Sequence, residues 1–299
     1  MDARELRRGE AAYPARLAEL PNPPAALWVA GQMQRAPTIA IVGTRHPVAD
    51  AAVFAEELAG AVALAGGIVV SGGAKGIDAA AHRGVIAQGG PTWVVAPTGH
   101  EHVYPEDHGE LYDTVVRTGG AVLWPFPPGT TALRHNFFLR NSVLVALADL
   151  VVVVQAGIPS GALNAAAWAR KLRRPLWVVA GAPWMTGFRG CHAELARGGA
   201  HLLTSIKAVL RAAGLLLRTN LAPSPSSSDG AHPVGLSRTF SPQEKALLLA
   251  TGRTPRHVDE IASRAGLPAS ALGTLLLTLA LEDVVVEGPD GFFRRGSSP

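Results

Sequence analysis

Apolar positions along this chain fall into short, nearly continuous runs separated by longer amphipathic or alanine-rich stretches. From Thr38 to about Leu217, the runs Thr38–Val42, Gly67–Val70, Thr92–Ala96, Ala121–Trp124, Leu150–Val154 and Pro175–Val179 predict strands. Their β-branched density marks strands covered on both faces. Between them, Ala51–Leu64, Ile77–Gln88 and Ala162–Lys171 predict helices. Strands alternating with helices predict an α/β fold, a Rossmann-like doubly wound parallel sheet. Such sheets bind ligands at the carboxyl ends of their strands.

The flanks read differently. Residues 1–37 carry scattered prolines and a weak pattern, and are expected to form a lead-in packed on a main domain spanning 38–217. Residues 218–240 contain Ala222-Pro223-Ser224-Pro225-Ser226-Ser227-Ser228-Asp229-Gly230, which buries no apolar area and predicts a flexible linker. Beyond it, Ser241-Pro242-Gln243-Glu244 is a capping box with proline at the first helical position. Helical patterns over Gln243–Leu249, His257–Ala265 and Ala269–Leu281 are followed by a hairpin pattern over Val284–Arg294. Three helices and a two-stranded wing predict a winged helix–turn–helix domain over 241–299.

Composition narrows the class. Hydrophobic residues make up 48% of the 299 and charged ones 17%, so most of the chain should fold. A net charge of +4 permits a nucleic-acid partner without requiring one. Cys191 is the only cysteine, which excludes an intramolecular disulfide and suits a reducing cytosol. The charged start Met1–Glu5 lacks the apolar stretch of a signal peptide. The longest apolar run, Val143–Ala156, is broken by Asp149 and too short to span a bilayer. These features predict a cytoplasmic protein without a membrane segment.

Four loops carry candidate chemistry. Gly43-Thr44-Arg45 closes the first strand of the main domain with a hydroxyl and a guanidinium suited to phosphate oxygens; an ordinary strand-terminating turn is the commoner reading of such a segment. Ser71-Gly72-Gly73-Ala74-Lys75-Gly76 joins a strand to a helix, where free backbone N–H groups and the Lys75 ammonium favour an anion; a tight turn needing glycines for packing is the alternative. Phe137-Phe138-Leu139-Arg140-Asn141 sets aromatic rings beside an arginine, a pattern suited to single-stranded nucleic acid. A helix start that buries both rings fits that spacing equally well. Ser160-Gly161 opens an alanine-rich helix after the most apolar strand, a second anion site.

Other groups carry less. Asp78 and His82 lie four apart on one helix face and read as a structural pair. His100, His102 and His108 sit in a loop that supplies no second ligand cluster, so no metal is expected. The run Arg170, Lys171, Arg173 and Arg174 reads either as a solvated helix end or as part of a DNA track. Neither a nucleophile–base arrangement nor paired carboxylates mark the strand-end loops, so no catalytic residue and no cofactor are expected.

In order along the chain, these motifs resemble the DNA-processing protein A (DprA, or Smf) family. The resemblance runs over about residues 13–205. It rests on Tyr13-Pro14 with Pro23-Pro24, Gly43-Thr44-Arg45, Ser71–Asp78 with Ala81-His82, Tyr104-Pro105, Phe137–Asn141, Ser160-Gly161, Ala180-Gly181 and Gly199-Ala200. The tail from Ser241 is similar to the winged-helix domain that many members carry. The resemblance implies a dimerising, non-enzymatic Rossmann-like domain that binds single-stranded DNA in natural transformation. Such proteins protect incoming strands and load the RecA recombinase past single-strand-binding protein. By position, Gly43, Thr44, Arg45, Lys75, Phe137, Phe138, Arg140, Asn141, Ser160 and Gly161 would line the pocket, and Ser71, Gly72, Gly73 and Gly76 would belong to the same loop system. The chain departs from the family pattern at Ser142, Gln155 and Trp124-Pro125.

Charge is unevenly spread. Residues 1–217 hold nineteen basic and fifteen acidic side chains, and residues 241–299 hold six and seven. A helix–turn–helix that grips duplex DNA needs a basic face. Asp259 and Glu260 on the second helix and Leu275, Leu276 and Leu277 on the third therefore predict a protein-contact module. The competing class is a Rossmann-like nucleoside monophosphate phosphoribohydrolase. It requires a catalytic glutamate in the segment corresponding to Gln155–Asn164, which has none.

Overall fold

The computed structural model describes residues 2–216, 241–251 and 256–267. Beyond these it describes 272, 275–276, 279–280, 284–287 and 292–295. The chain divides into two compact units, Met1–Ser224 and Pro225–Pro299. The linker predicted over 218–240 lies outside the described residues.

The first unit is built on a nine-stranded sheet. Its strands are β1 (Arg4–Arg7), β2 (Ala26–Gly31), β3 (Thr38–Val42), β4 (Ile68–Ser71), β5 (Thr92–Val95), β6 (Ala121–Trp124), β7 (Leu150–Val153), β8 (Leu176–Val178) and β9 (Ala200–Leu202). Their spatial order is β1-β2-β6-β5-β4-β3-β7-β8-β9. Strands β3 to β9 run parallel, whereas β1 and β2 are antiparallel additions beyond β6. The six predicted strands are β3 to β8. The side chains of Ile39, Ile41, Val69 and Val152 are fully buried. Burial of each such side chain contributes about 1.5–3 kcal/mol.

Helices α1 (Ala49–Leu64), α2 (Ile77–Ala87), α3 (Gly109–Arg117), α4 (Arg134–Leu147), α5 (Gly161–Lys171), α6 (Arg189–Arg197) and α7 (Ile206–Ala212) complete the unit. The chain steps outward from β3 through β4 and β5 to β6, then returns through α4 to β7 on the other side of β3. Right-handed crossovers in opposite directions put α1 and α2 on one face and α4 and α5 on the other. The reversal between β3 and β7 is the topological switch point, where the loops leaving adjacent strands splay apart.

Residues 1–37 do more than pack on the main domain. They supply β1 and β2, and Leu6, Tyr13, Leu17, Leu20 and Leu27 join the main core. The Tyr13 hydroxyl donates to the Pro24 carbonyl at 2.7 Å, and Arg16 pairs with Asp149. Of the basic run that reads either as a solvated helix end or as a DNA track, three residues are engaged internally. Arg170 pairs with Glu194, Arg174 with Glu19, and Lys171 lies over the Trp168 ring. These residues occupy the end of α5 opposite its Gly161 terminus, away from the carboxyl ends of the strands.

The second unit is a winged helix. It contains α8 (Pro242–Thr251), β10 (Arg256–His257), α9 (Val258–Ala265), β11 (Val285–Glu287) and β12 (Phe292–Arg295), with the strands ordered β10-β12-β11. The capping box closes in both directions: Ser241 N donates to Glu244 Oε2 at 2.8 Å, and Glu244 N donates to Ser241 Oγ at 3.2 Å. Leu272, Leu276 and Leu279 are buried with Leu247, Ile261 and Phe293 in the unit's own core, and Leu275 packs against it. Of the leucines expected to mark a docking face, Leu276 is a core residue, Leu275 is half-buried against that core, and Leu277 lies outside the described side chains. Glu260 is paired with both Arg256 and Arg264.

Candidate nucleic-acid interface

The loops after β3 and β7 are tied to each other and to the start of α2. Thr44 N donates to the Gln155 carbonyl at 2.8 Å, and Ile77 N donates to the Thr44 carbonyl at 3.2 Å. Buried Gln155 accepts from Val48 N through its side-chain oxygen at 2.9 Å, so a neutral amide holds the start of α1. The result is a fixed platform at the switch point rather than three independent loops.

Over this platform lies a cavity of about 590 Å³. It brings together Gly43, Thr44 and Arg45 from the β3 loop, Phe137, Phe138, Arg140 and Asn141 from α4, and Ser160 and Gly161 from the start of α5. His46, Asp78 and Arg134 also line it. The sequence reading misses His46, which adjoins Arg45, and Arg134, which lies one helical turn before Phe137.

The lining combines cations and rings. The Arg45 guanidinium lies 4.8 Å from the centre of the Phe137 ring, which packs in a T-shape with Tyr104, ring centres 5.2 Å apart. Phe137 is thus engaged by protein on both counts, whereas Phe138 is 43% exposed and free to receive a planar ligand. The helix α4 does begin here, as the packing alternative held, but it does not bury both rings. Asn141 donates to the Gly161 carbonyl at 3.1 Å and to Asn164 Oδ1 at 3.3 Å, fixing α5 against α4. Ser160 caps α5 by accepting from Ala162 N at 3.2 Å. A Cβ on Gly161 would meet nothing within 4 Å, so that backbone is open to close approach.

The Ser71–Gly76 loop is arranged differently from the expected phosphate cradle. Ser71 is buried and donates to the Ile41 carbonyl at 2.6 Å. A Cβ on Gly72 would fall 1.3 Å from Arg140 Nη1, and one on Gly73 would strike the Tyr112 hydroxyl. Gly76 combines φ +81° with a Cβ position 2.4 Å from the Thr44 carbonyl, a site only glycine tolerates. The loop also holds an anion of its own: Ala74 N donates to Asp78 Oδ2 at 3.4 Å. Lys75 points to a neighbouring cavity of about 580 Å³, where it pairs with Asp107 at 2.7 Å. Arg45, His46 and Ala74 line both cavities, so the two adjoin.

Buried charge lies beneath the floor. Arg140 Nη1 is 3.8 Å from Asp78 Oδ2, and its Nε has no protein partner. Burial raises the Asp78 carboxyl, and Arg140 beside it pulls it back. Burial likewise lowers the Arg140 guanidinium. Asp78 and His82 do not pair with each other. Thr92 Oγ1 donates to the Val69 carbonyl at 2.8 Å, so it accepts from His82 Nδ1 at 2.9 Å, leaving His82 Nε2 bare. Burial pushes His82 down to about 3, so the ring is neutral. No group of three or more histidine, cysteine, aspartate or glutamate side chains that would hold a metal occurs among the described residues. No described helix is long and apolar enough to cross a membrane.

Fold and cleft together define a Rossmann-like protein whose switch point carries a cationic, ring-lined cavity, with a winged helix appended. A family model described as DNA recombination-mediator protein A matches residues 5–214, and one described as the DprA winged helix domain matches residues 222–291. The chain belongs to the DprA/Smf family. It is 36% identical over 260 residues to a DNA processing protein DprA of Mycobacterium tuberculosis, covering 85% of this chain and 64% of that protein's length. It is 29% identical to protein Smf of Escherichia coli, covering 94% of this chain and 75% of the relative. Among solved structures, DNA processing protein A of Helicobacter pylori, described for its single-stranded DNA binding mode, is 25% identical with a TM-score of 0.64, covering 73% of this chain and 97% of that one. The Streptococcus pneumoniae protein is 31% identical with a TM-score of 0.64, covering 70% of this chain and 74% of that one.

Proposed function

We propose that this protein binds single-stranded DNA without regard to sequence and acts as a recombination mediator. In this reading it protects incoming strands during natural transformation and hands them to the RecA recombinase past single-strand-binding protein. The observation that carries it is the meeting of Arg45, Phe138, Arg140 and the open Gly161 backbone around one cavity at the switch point. Cations hold phosphates and an exposed ring stacks any base, so affinity follows the backbone rather than the sequence. The single-stranded DNA binding described for the Helicobacter pylori relative supports the same partner.

The site residues take distinct parts. Arg45 and Arg134 meet phosphates, Phe138 stacks a base, and the open Gly161 backbone receives a phosphate oxygen. Arg140 holds the floor and faces the cavity from below. Lys75 extends the track into the adjoining cavity once its pairing with Asp107 is exchanged for a phosphate. A homodimer in the cytoplasm would place two such cavities on one strand and multiply affinity through effective concentration.

Binding without turnover fits the carboxylate inventory. Among the described residues Asp78 is the one carboxylate lining the main cavity, and it is buried, tied to Ala74 N and set beside Arg140. The phosphoribohydrolase alternative is not favoured, since Gln155–Asn164 supplies no glutamate. Mediation is tested by nucleation of RecA filaments on strands coated with single-strand-binding protein. Added protein should shorten the lag; an unchanged lag with intact strand binding would remove the mediator role and leave a binding protein.

A further inference from the structure

One large apolar side chain at the carboxyl edge of the sheet has no part in the cavity or the core. Trp184 is 83% exposed, the most exposed large hydrophobic among the described residues and the only exposed tryptophan of the chain's six. Its loop is nonetheless fixed. Met185 N donates to the Ala182 carbonyl at 2.9 Å, and Phe188 N to the Met185 carbonyl at 3.0 Å. The buried Phe188 ring lies where a side chain on Gly181 would be. An indole presented on an ordered turn can stack without the cost of first ordering the loop that carries it.

The loop also adjoins the cavity wall. It follows β8, next to β7 in the sheet, and Gly187 sits against the Gln155 side-chain amide. Gly190 N donates to the Ala156 carbonyl at 2.8 Å. The segment so contacted runs on through exposed Ile158 and Pro159 to Ser160 and Gly161, which line the cavity. Electrostatics along this edge suit a polyanion, for no aspartate or glutamate occurs between Asp149 and Glu194.

We infer that Trp184 is a second base-stacking platform, outside the cavity, for a single strand leaving it across the β7 loop toward β8. This rests on the single-strand reading above and adds a direction and a length to it. Phe138 would stack a base within the cavity, and Trp184 a base further along the strand, so only oligonucleotides long enough to cross the β7 loop would reach the indole. An edge whose own segments carry no acidic side chain and which ends in an exposed indole matches alternating bases and phosphates.

The test titrates the full chain and its Trp184→Ala, Trp184→Phe and Arg45→Ala variants with oligothymidylates of about four and about sixteen nucleotides. Binding is read by anisotropy of a dye on the oligonucleotide, and tryptophan exposure by acrylamide quenching. The long oligonucleotide should shield wild-type emission from acrylamide, and the short one should not. Trp184→Ala should bind the long oligonucleotide about 5- to 150-fold more weakly and the short one equally well, with Trp184→Phe in between. Wild-type affinity of Trp184→Ala for the long oligonucleotide, alongside weakened Arg45→Ala, would overturn this inference and leave the cavity reading standing. Equal loss of both lengths in Trp184→Ala would overturn it as well, by making the indole a structural residue. Failure of the wild type to bind either length would overturn the single-strand reading itself.

Discussion

The guanidinium of Arg140 occupies the space that a side chain on Gly72 would need. A Cβ at Gly72 would stand 1.3 Å from Arg140 Nη1, and the same guanidinium lies 3.8 Å from the buried Asp78 carboxylate. The glycine loop and the α4 arginine are therefore one unit. Gly72→Ala should expel or distort Arg140 and cost roughly 1–3 kcal/mol through overpacking. Arg140→Ala should cost more, about 3–5 kcal/mol, because it leaves Asp78 buried without its counter-charge. Chemical denaturation of both variants checks the order; a Gly72→Ala protein as stable as wild type would separate the two residues.

Arg45 behaves differently, being exposed and held only against the Phe137 and Tyr104 rings. Arg45→Ala should leave the melting temperature nearly unchanged, weaken single-strand affinity and lower the salt slope by about one. Titrations across a salt series check it; an unchanged slope would remove Arg45 from phosphate contact.

Lys75 and Asp107 are both exposed at the mouth of the second cavity, and the hydrogen bond from Lys75 holds the Asp107 carboxyl below the usual carboxylate range. A strand that uses Lys75 must compete with that carboxylate. Asp107→Asn should therefore tighten single-strand binding most at low salt, and Lys75→Ala should weaken it. Opposite movements of the two variants in one titration series are the expected result, and weaker binding by Asp107→Asn would contradict it.

His82 gives the fold an acid-sensitive point. Its ordinary value is 6.5, and burial lowers it to about 3 in the folded chain. Between those values the unfolded state binds a proton that the folded state refuses. The histidine's contribution is intact above 6.5 and is lost as pH falls toward 3, by up to ~1.4 kcal/mol per pH unit. Asp78 works in the opposite sense above 3.8, since burial raises its carboxyl. Thermal melts of wild type and His82→Gln isolate the histidine: the variant should show the shallower loss on acidification. Parallel pH profiles would contradict a buried neutral imidazole.

Much of this arrangement was legible in the chain because buried parallel strands leave an unambiguous signal. The runs around Ile39, Val69, Val94, Leu123, Val152 and Val178 have nearly the bounds the pattern predicts. Strand β9, with only Ala200–Leu202, is too short for any periodicity, and β2 was passed over although Ala26–Ala30 is an apolar run. Within the candidate site, the β3 loop and the start of α5 were legible as strand-end loops, whereas the place of α4 beside them rested on the family resemblance, because α4 follows β6, three strands away from β3. The role of the glycine loop did not, because glycine density records close approach without saying what approaches. Here the neighbours are Arg140, Tyr112 and the Thr44 carbonyl. The leucines of the third winged-helix segment are ambiguous for a related reason: an apolar stripe is the same in sequence whether it faces a partner or its own core.

The central claim is that the switch-point cavity binds single strands through phosphates and stacked bases. Its most direct test is an anisotropy titration of a labelled homopolymeric single strand against the matching duplex, at low and at moderate salt. The account predicts tight binding of the single strand, weaker binding of the duplex and a marked loss of affinity with salt. Equal affinity for both forms, or binding indifferent to salt, would contradict it.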